Sequence, residues 1–170
     1  MTTPDFTKFH NLDIILVCGL PGAGKSYFSR KEFMNTGRKR VNRKEIRRLL
    51  FEMTNFGEKW SGKNFSSVDD HLVKHTERKM IEHLLSGGEK LLVDNTGINA
   101  DSRSVYVKIA KAANKSIGVI FLDTDVNKCI ERNRQLEDPA PERVIVKNSS
   151  EKSLPAKSEG FNEILIISGE

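Results

Sequence analysis

Eight consecutive residues, Gly19-Leu20-Pro21-Gly22-Ala23-Gly24-Lys25-Ser26, fit G-x-x-x-x-G-K-[ST] without deviation. The glycines let successive backbone N–H groups turn inward around an anion, in conformations that a Cβ would forbid. A helix starting at Lys25 would aim its N-terminal dipole at the same anion. Lys25 supplies a mobile positive charge for β- and γ-phosphates, and the Ser26 hydroxyl is suited to Mg²⁺. Residues 19–26 and the following Tyr27 are therefore expected to form the nucleotide site, with ATP and Mg²⁺ as cofactors.

Carboxylates at strand ends come next. Leu91-Leu92-Val93 is apolar and runs into Asp94. In open α/β sheets ligands gather at the carboxyl ends of the strands, so Asp94 is expected beside the loop, as a metal-holding or substrate-anchoring group with Ser26. Asp123 also follows an apolar run, but reads more readily as a turn residue. Arg43, Lys44, Arg47 and Arg48 share one short predicted helix, with 43 and 47 on one face and 44 and 48 on another. Ile46, Leu49 and Leu50 are expected to face the core. The cations read either as a solvated face or as the contact surface for a phosphate-rich acceptor such as a nucleic-acid strand. Trp60 and Phe65, just beyond, suit either base stacking or the core. His71 and His75 are four apart but lack a metal signature, and with His83 they read as helix surface or edge. Cys18 and Cys129 read as buried fillers rather than a disulfide framework.

These residues need a scaffold. Leu12–Cys18 is an apolar run with one Asp near its start, which suits a strand buried on both faces. Helices are predicted over 25–34, 43–51, 67–85, 101–114 and 126–136, with Asn42 and either Asn99 or Asp101 as N-caps. Pro139 and Pro141 break the helix over 126–136, and a further short helix is expected from Pro141 through Lys147. Strands are predicted over 38–41, 90–93, 116–122 and 163–167. This alternation predicts an α/β fold with a parallel sheet of about five strands and helices on both faces. One domain is expected across residues 1–170, with a small lid at about 132–148.

The bulk properties agree. The chain has 170 residues, 37% of them hydrophobic and 30% charged, which excludes disordered and fibrous classes. No apolar run approaches the ~20 residues of a membrane span, and the N-terminus lacks a signal pattern, so a cytoplasmic location (the host cytoplasm for a viral chain) and no membrane partner are expected. The net charge of +5 agrees with an anionic partner.

The P-loop, Val41-Asn42-Arg43, Val93-Asp94-Asn95-Thr96, Arg132-Asn133-Arg134, Pro141 to Val144 and Glu159-Gly160-Phe161 occur in this order. As a set they resemble the polynucleotide 5′-hydroxyl kinase family of phage and animal repair type, from Ile14 to Ile167. The resemblance implies an adenylate-kinase-like P-loop kinase fold and transfer of the γ-phosphate of ATP to the 5′-hydroxyl of DNA or RNA. By position it assigns phosphate and metal binding to Lys25 and Ser26, and contact with an acceptor phosphate to Arg47. Asp94 and Thr96 match the element beside the phosphates, and Arg132 or Arg134 matches lid arginines on the transferred phosphoryl. With Arg43 and Lys44, Arg47 and Thr96 form the expected substrate side.

One position departs from the family. The general-base Asp after the Asn-Arg pair is Lys44 here, and a lysine at its ordinary pKa cannot accept the hydroxyl proton. Glu45 serves as the base, or Lys44 acts with a lowered pKa or in substrate binding while positioning and charge carry the reaction, or the chain is a weak or silent nucleotide-binding protein. A hydroxymethylated base within DNA and a small-molecule or toxin-type acceptor are the alternative substrates.

Overall fold

A computed structural model of the chain describes residues 6–64 and 69–169. A short helix α1 (Thr7–His10) precedes β1 (Ile14–Gly19) and α2 (Lys25–Phe33). Then come β2 (Lys39–Asn42), α3 (Arg43–Thr54), α4 (Asp70–Ser86), β3 (Leu91–Asp94), α5 (Ala100–Ala112), β4 (Ile117–Thr124), α6 (Val126–Arg134), α7 (Glu142–Ser150) and β5 (Glu163–Gly169). Every predicted strand and helix is present, with shifted ends. Phe65 and the predicted start of the helix at Ser67 lie outside the described residues. Among the described residues three further elements were not anticipated: α1 and the two single-turn 3-10 segments at Gly62–Asn64 and Lys157–Glu159.

The five strands are all parallel, in the order β2-β3-β1-β4-β5. β1 is central and every one of its residues is buried, as are those of β3, which explains why both read as unbroken apolar runs. From β1 the chain first fills one side of the sheet and then, at β4, the other. The carboxyl end of β1 is thus the topological switch point, the place where open α/β sheets bind ligands. Register brings Asn42 beside Asp94 and Val17 beside Asp94, so β2 and the P-loop strand meet at one carboxylate.

At the far end of the sheet Arg38 is spent on structure. Its guanidinium donates to the carbonyls of Phe9, His10, Leu12, Asp13 and Leu91, tying α1 and the approach to β1 to β3. Asp13 accepts from the backbone and side chain of Ser116, which pins β1 to β4. Cys18 and Cys129 are buried free thiols, as expected; burial pushes the Cys18 pKa up to about 12. Among the described residues no helix is long and apolar enough to cross a membrane.

Candidate active site

The loop between β1 and α2 is braced from three sides. The Gly19 N–H donates to the Thr96 carbonyl beyond β3, and the Thr124 hydroxyl at the end of β4 donates to the Ala23 carbonyl. The third side is α6. A Cβ on Gly22, whose φ is +84°, would lie 2.1 Å from the Cys129 carbonyl oxygen, so only glycine fits. Gly24, at φ +94°, is the left-handed residue that starts α2, and a Cβ there would meet nothing within 4 Å. Lys25 folds back over the loop, its ammonium donating to the carbonyls of Gly19 (3.0 Å) and Leu20 (2.8 Å). Burial lowers its pKa, with the charge of Asp94 opposing. Tyr27 is largely exposed.

Asp94 closes the other side. Its side chain is fully buried, and Oδ2 accepts from the Ser26 hydroxyl (3.0 Å) and from Arg40 Nη2 (2.8 Å) and Nε (3.3 Å). Oδ1 is buried without a partner. An orphaned carboxylate oxygen beside a serine hydroxyl, at the mouth of a phosphate-type loop, is a donor set that fits a hard divalent cation. Among the described residues no cluster of three or more histidine, cysteine or acidic side chains offers another metal site.

The Asn-Arg pair and the Asp-Asn-Thr element interlock. Asn42 accepts from the Glu45 N–H as the N-cap of α3 and donates its amide to the Asp94 carbonyl. Arg43 turns inward: Nε (2.9 Å) and Nη2 (2.5 Å) donate to Glu77 Oε2, and Nη2 donates to the Tyr106 hydroxyl. Tyr106 donates to Glu77 Oε1, and the Asn95 amide donates to Glu77 and to Tyr106. Burial raises the Tyr106 pKa, and the Glu77 carboxylate adds to it. Asn95 in turn accepts from the Thr96 N–H and hydroxyl. Glu77 thus joins α3, α4, β3 and α5, and nothing in its exposed-looking sequence surroundings marked it.

The cationic helix therefore divides. At about 100° per residue the core face of α3 runs through Ile46, Leu50, Arg43 and Arg47. Arg47 is only 12% exposed and donates to Asp70 on α4 at 2.6 Å. Leu49 was expected in the core but is 63% exposed, because it lies well round the helix from the Ile46–Leu50 face. Lys44 and Arg48 form the outer face. The Lys44 ammonium donates to the Asp138 carbonyl at 2.6 Å and stands over the Trp60 ring, while Arg48 sits 3.8 Å from the Asp138 carboxylate. Burial lowers the Lys44 pKa, with Asp138 opposing. Trp60 is buried and takes the core role of the two anticipated. Glu45 is 55% exposed and holds Arg40 Nη1 at 2.7 Å.

In the Arg132-Asn133-Arg134 triplet the buried residue is Asn133. Its amide donates to the Ala140 carbonyl and its carbonyl accepts the Ala140 N–H, closing the turn between α6 and α7. Arg132 and Arg134 are exposed, and Arg134 forks onto Glu142 at the start of α7 rather than onto the loop. Asp123, expected as a turn residue, instead lies within β4, opposite Ser168 of β5, and its carboxylate pairs with Lys152. His71, His75 and His83 are exposed on α4. Glu159 accepts a forked pair from fully buried Arg103, so the closing Glu-Gly-Phe segment anchors α5.

Solved structures place this geometry. A protein of Chloroflexus aurantiacus J-10-fl classed among kinases superposes with a TM-score of 0.69 at 16% identity, over 91% of this chain and 84% of that one. Shikimate kinase from Acinetobacter baumannii superposes at 0.54 and 19% identity, over 98% and 89%. A chain of the Pnkp1/Rnl/Hen1 complex superposes at 0.54 and 20% identity, over 70% and 38%. The fold is that of the P-loop kinases, a nucleotide-binding fold. A family model described as an AAA domain matches residues 14–151, and the chain belongs to that family.

Proposed function

We propose that the protein is an ATP- and Mg²⁺-dependent kinase that passes the γ-phosphate to a hydroxyl, most favourably the 5′-hydroxyl of a DNA or RNA strand. The observation that carries the reading is the Ser26–Asp94 pair, with Asp94 Oδ1 buried and unpartnered, at the foot of a complete P-loop. When bound, the divalent cation supplies charge neutralisation at the β- and γ-phosphates, held by Ser26 and Asp94. The loop's N–H groups and the start of α2 orient the triphosphate. Lys25 leaves the Gly19 and Leu20 carbonyls to meet the phosphoryl oxygens, exchanging two carbonyl bonds for charge-assisted ones.

On the acceptor side Glu45 is the candidate general base, one residue beyond the position of the family's Asp. It stands in the first turn of α3, one guanidinium away from Ser26. Lys44 and Arg48 lie on the outer face of the same helix, suited to an acceptor phosphate; Arg47 joins them only on leaving Asp70, and Thr96 lies at the P-loop, where its carbonyl accepts the Gly19 N–H. Arg132 and Arg134, on the segment 132–148 acting as a lid, reach the transferred phosphoryl once Arg134 leaves Glu142. A small-molecule acceptor is the second reading. It is favoured by the pairing of Arg43 with Glu77 and of Arg47 with Asp70, which neutralises half of the helix's charge.

The test is transfer of label from γ-labelled ATP to a panel of 5′-hydroxyl DNA, 5′-hydroxyl RNA, base-hydroxymethylated DNA and free nucleosides. Labelled strand ends support the first reading. Transfer to nucleosides alone would sink it in favour of the second, and no transfer to any acceptor would leave a nucleotide-binding protein.

A further inference from the structure

Arg40 belongs to none of the motifs above, yet its guanidinium lies where the cation should be. Nη2 is 2.8 Å from Asp94 Oδ2 and 3.2 Å from Ser26 Oγ, Nε is 3.3 Å from Asp94 Oδ2, and Nη1 is 2.7 Å from Glu45 Oε1. One side chain, 24% exposed, thus touches both residues expected to hold the metal and the residue expected to act as base. A fully buried carboxylate such as Asp94 cannot be left without a compensating cation. In this structure Arg40 is that cation.

Resting on the kinase reading, we propose that Arg40 is a stand-in for the divalent cation and a positioning residue for the acceptor side. Ser26 and Asp94 cannot hold both a guanidinium and a divalent ion, because two cations at one fully buried carboxylate repel strongly. On loading, Asp94 and Ser26 therefore exchange Arg40 for the metal. Arg40 keeps its other anchor, Glu45, which is exposed and lies on the acceptor side. The exchange carries a positive charge from the donor half of the site to the mouth of the acceptor half and draws it onto Glu45. Metal loading and acceptor-side geometry are thereby coupled through one side chain. The competition also weakens metal binding in the resting protein.

The test is Mn²⁺ binding followed by electron paramagnetic resonance in the presence of a non-hydrolysable ATP analogue. Wild type is measured first: absence of nucleotide-dependent Mn²⁺ binding would overturn the metal-site reading itself. Given binding, Arg40→Gln is expected to bind Mn²⁺ about tenfold more tightly, the equivalent of one broken charged hydrogen bond. Arg40→Lys, which keeps a charge but cannot span Asp94 and Glu45, is expected to fall between. Unchanged or weaker Mn²⁺ affinity in both variants overturns the inference, because a merely structural arginine would lower the melting temperature without tightening metal binding. A second readout needs no substitution. In wild type the Arg40 Nε–Hε resonance, assigned through bonds to its backbone, is expected to shift on adding Mg²⁺ with the analogue, but not with the analogue plus chelator. An Arg40 resonance indifferent to Mg²⁺ refutes the exchange.

Discussion

Replacing Glu77 with Gln should destabilise the protein by about 3 kcal/mol, and the reason lies in what Glu77 alone holds together. The residue is 2% exposed and accepts four donors: Arg43 Nε and Nη2 on one oxygen, Tyr106 and Asn95 on the other. Glutamine keeps the size and one acceptor, so the Tyr106 and Asn95 bonds largely survive. What goes is the charge opposite Arg43. Removing one member of a buried pair costs ~3–5 kcal/mol, and the 26% exposure of the Arg43 side chain lets water recover part of this. Urea unfolding reads the effect as a lower midpoint at unchanged slope, and thermal unfolding as a fall of about 6–10 °C for a chain of this length. The double variant Arg43→Met with Glu77→Leu should return to within about 1 kcal/mol of wild type, since removing both charges leaves none stranded. A Glu77→Gln protein within about 0.5 kcal/mol of wild type would refute the reasoning, as would a double variant no more stable than the single one.

Lys25→Ala should keep the fold and lose phosphoryl transfer by about 10²-fold or more, read as label transfer from γ-labelled ATP alongside an unchanged circular dichroism spectrum. Glu45→Gln should slow transfer by about 10²-fold while nucleotide affinity holds, and a wild-type rate would remove Glu45 from the role of base. The Arg103–Glu159 pair predicts acid sensitivity. Burial raises the Glu159 pKa, but the bonds from Arg103 and from the Ala156 N–H outweigh it, so the net shift is below the ordinary 4.5. A carboxyl depressed in the folded state stabilises above its unfolded pKa, and that stability is lost as pH falls through the folded value. Denaturant midpoints measured from neutral pH down past 4.5 should therefore fall in wild type and fall less steeply in Glu159→Gln.

The sequence by itself determined the scaffold and the donor side. Unbroken apolar runs at Ile14–Cys18 and Leu91–Val93 can only be satisfied by strands buried on both faces, and the glycine spacing of residues 19–26 is local chemistry that needs no partner to be read. Asn42 as a cap and Asp94 at a strand end were legible for the same reason, since each depends on its immediate neighbours. Side-chain destinations across the sheet and between helices were decided by the tertiary structure. Arg38, Arg40, Arg43 and Arg47 look alike in a row of basic residues. Yet one ties carbonyls at the bottom of the sheet, one pairs with Asp94, and two turn inward to Glu77 and Asp70. Glu77 and Asn133, the residues that fix α3 and the turn after α6, lie in ordinary polar stretches and carried no signal. A long charged side chain reaches partners tens of residues away, and only strand order and helix packing determine which carboxylate or carbonyl is waiting there.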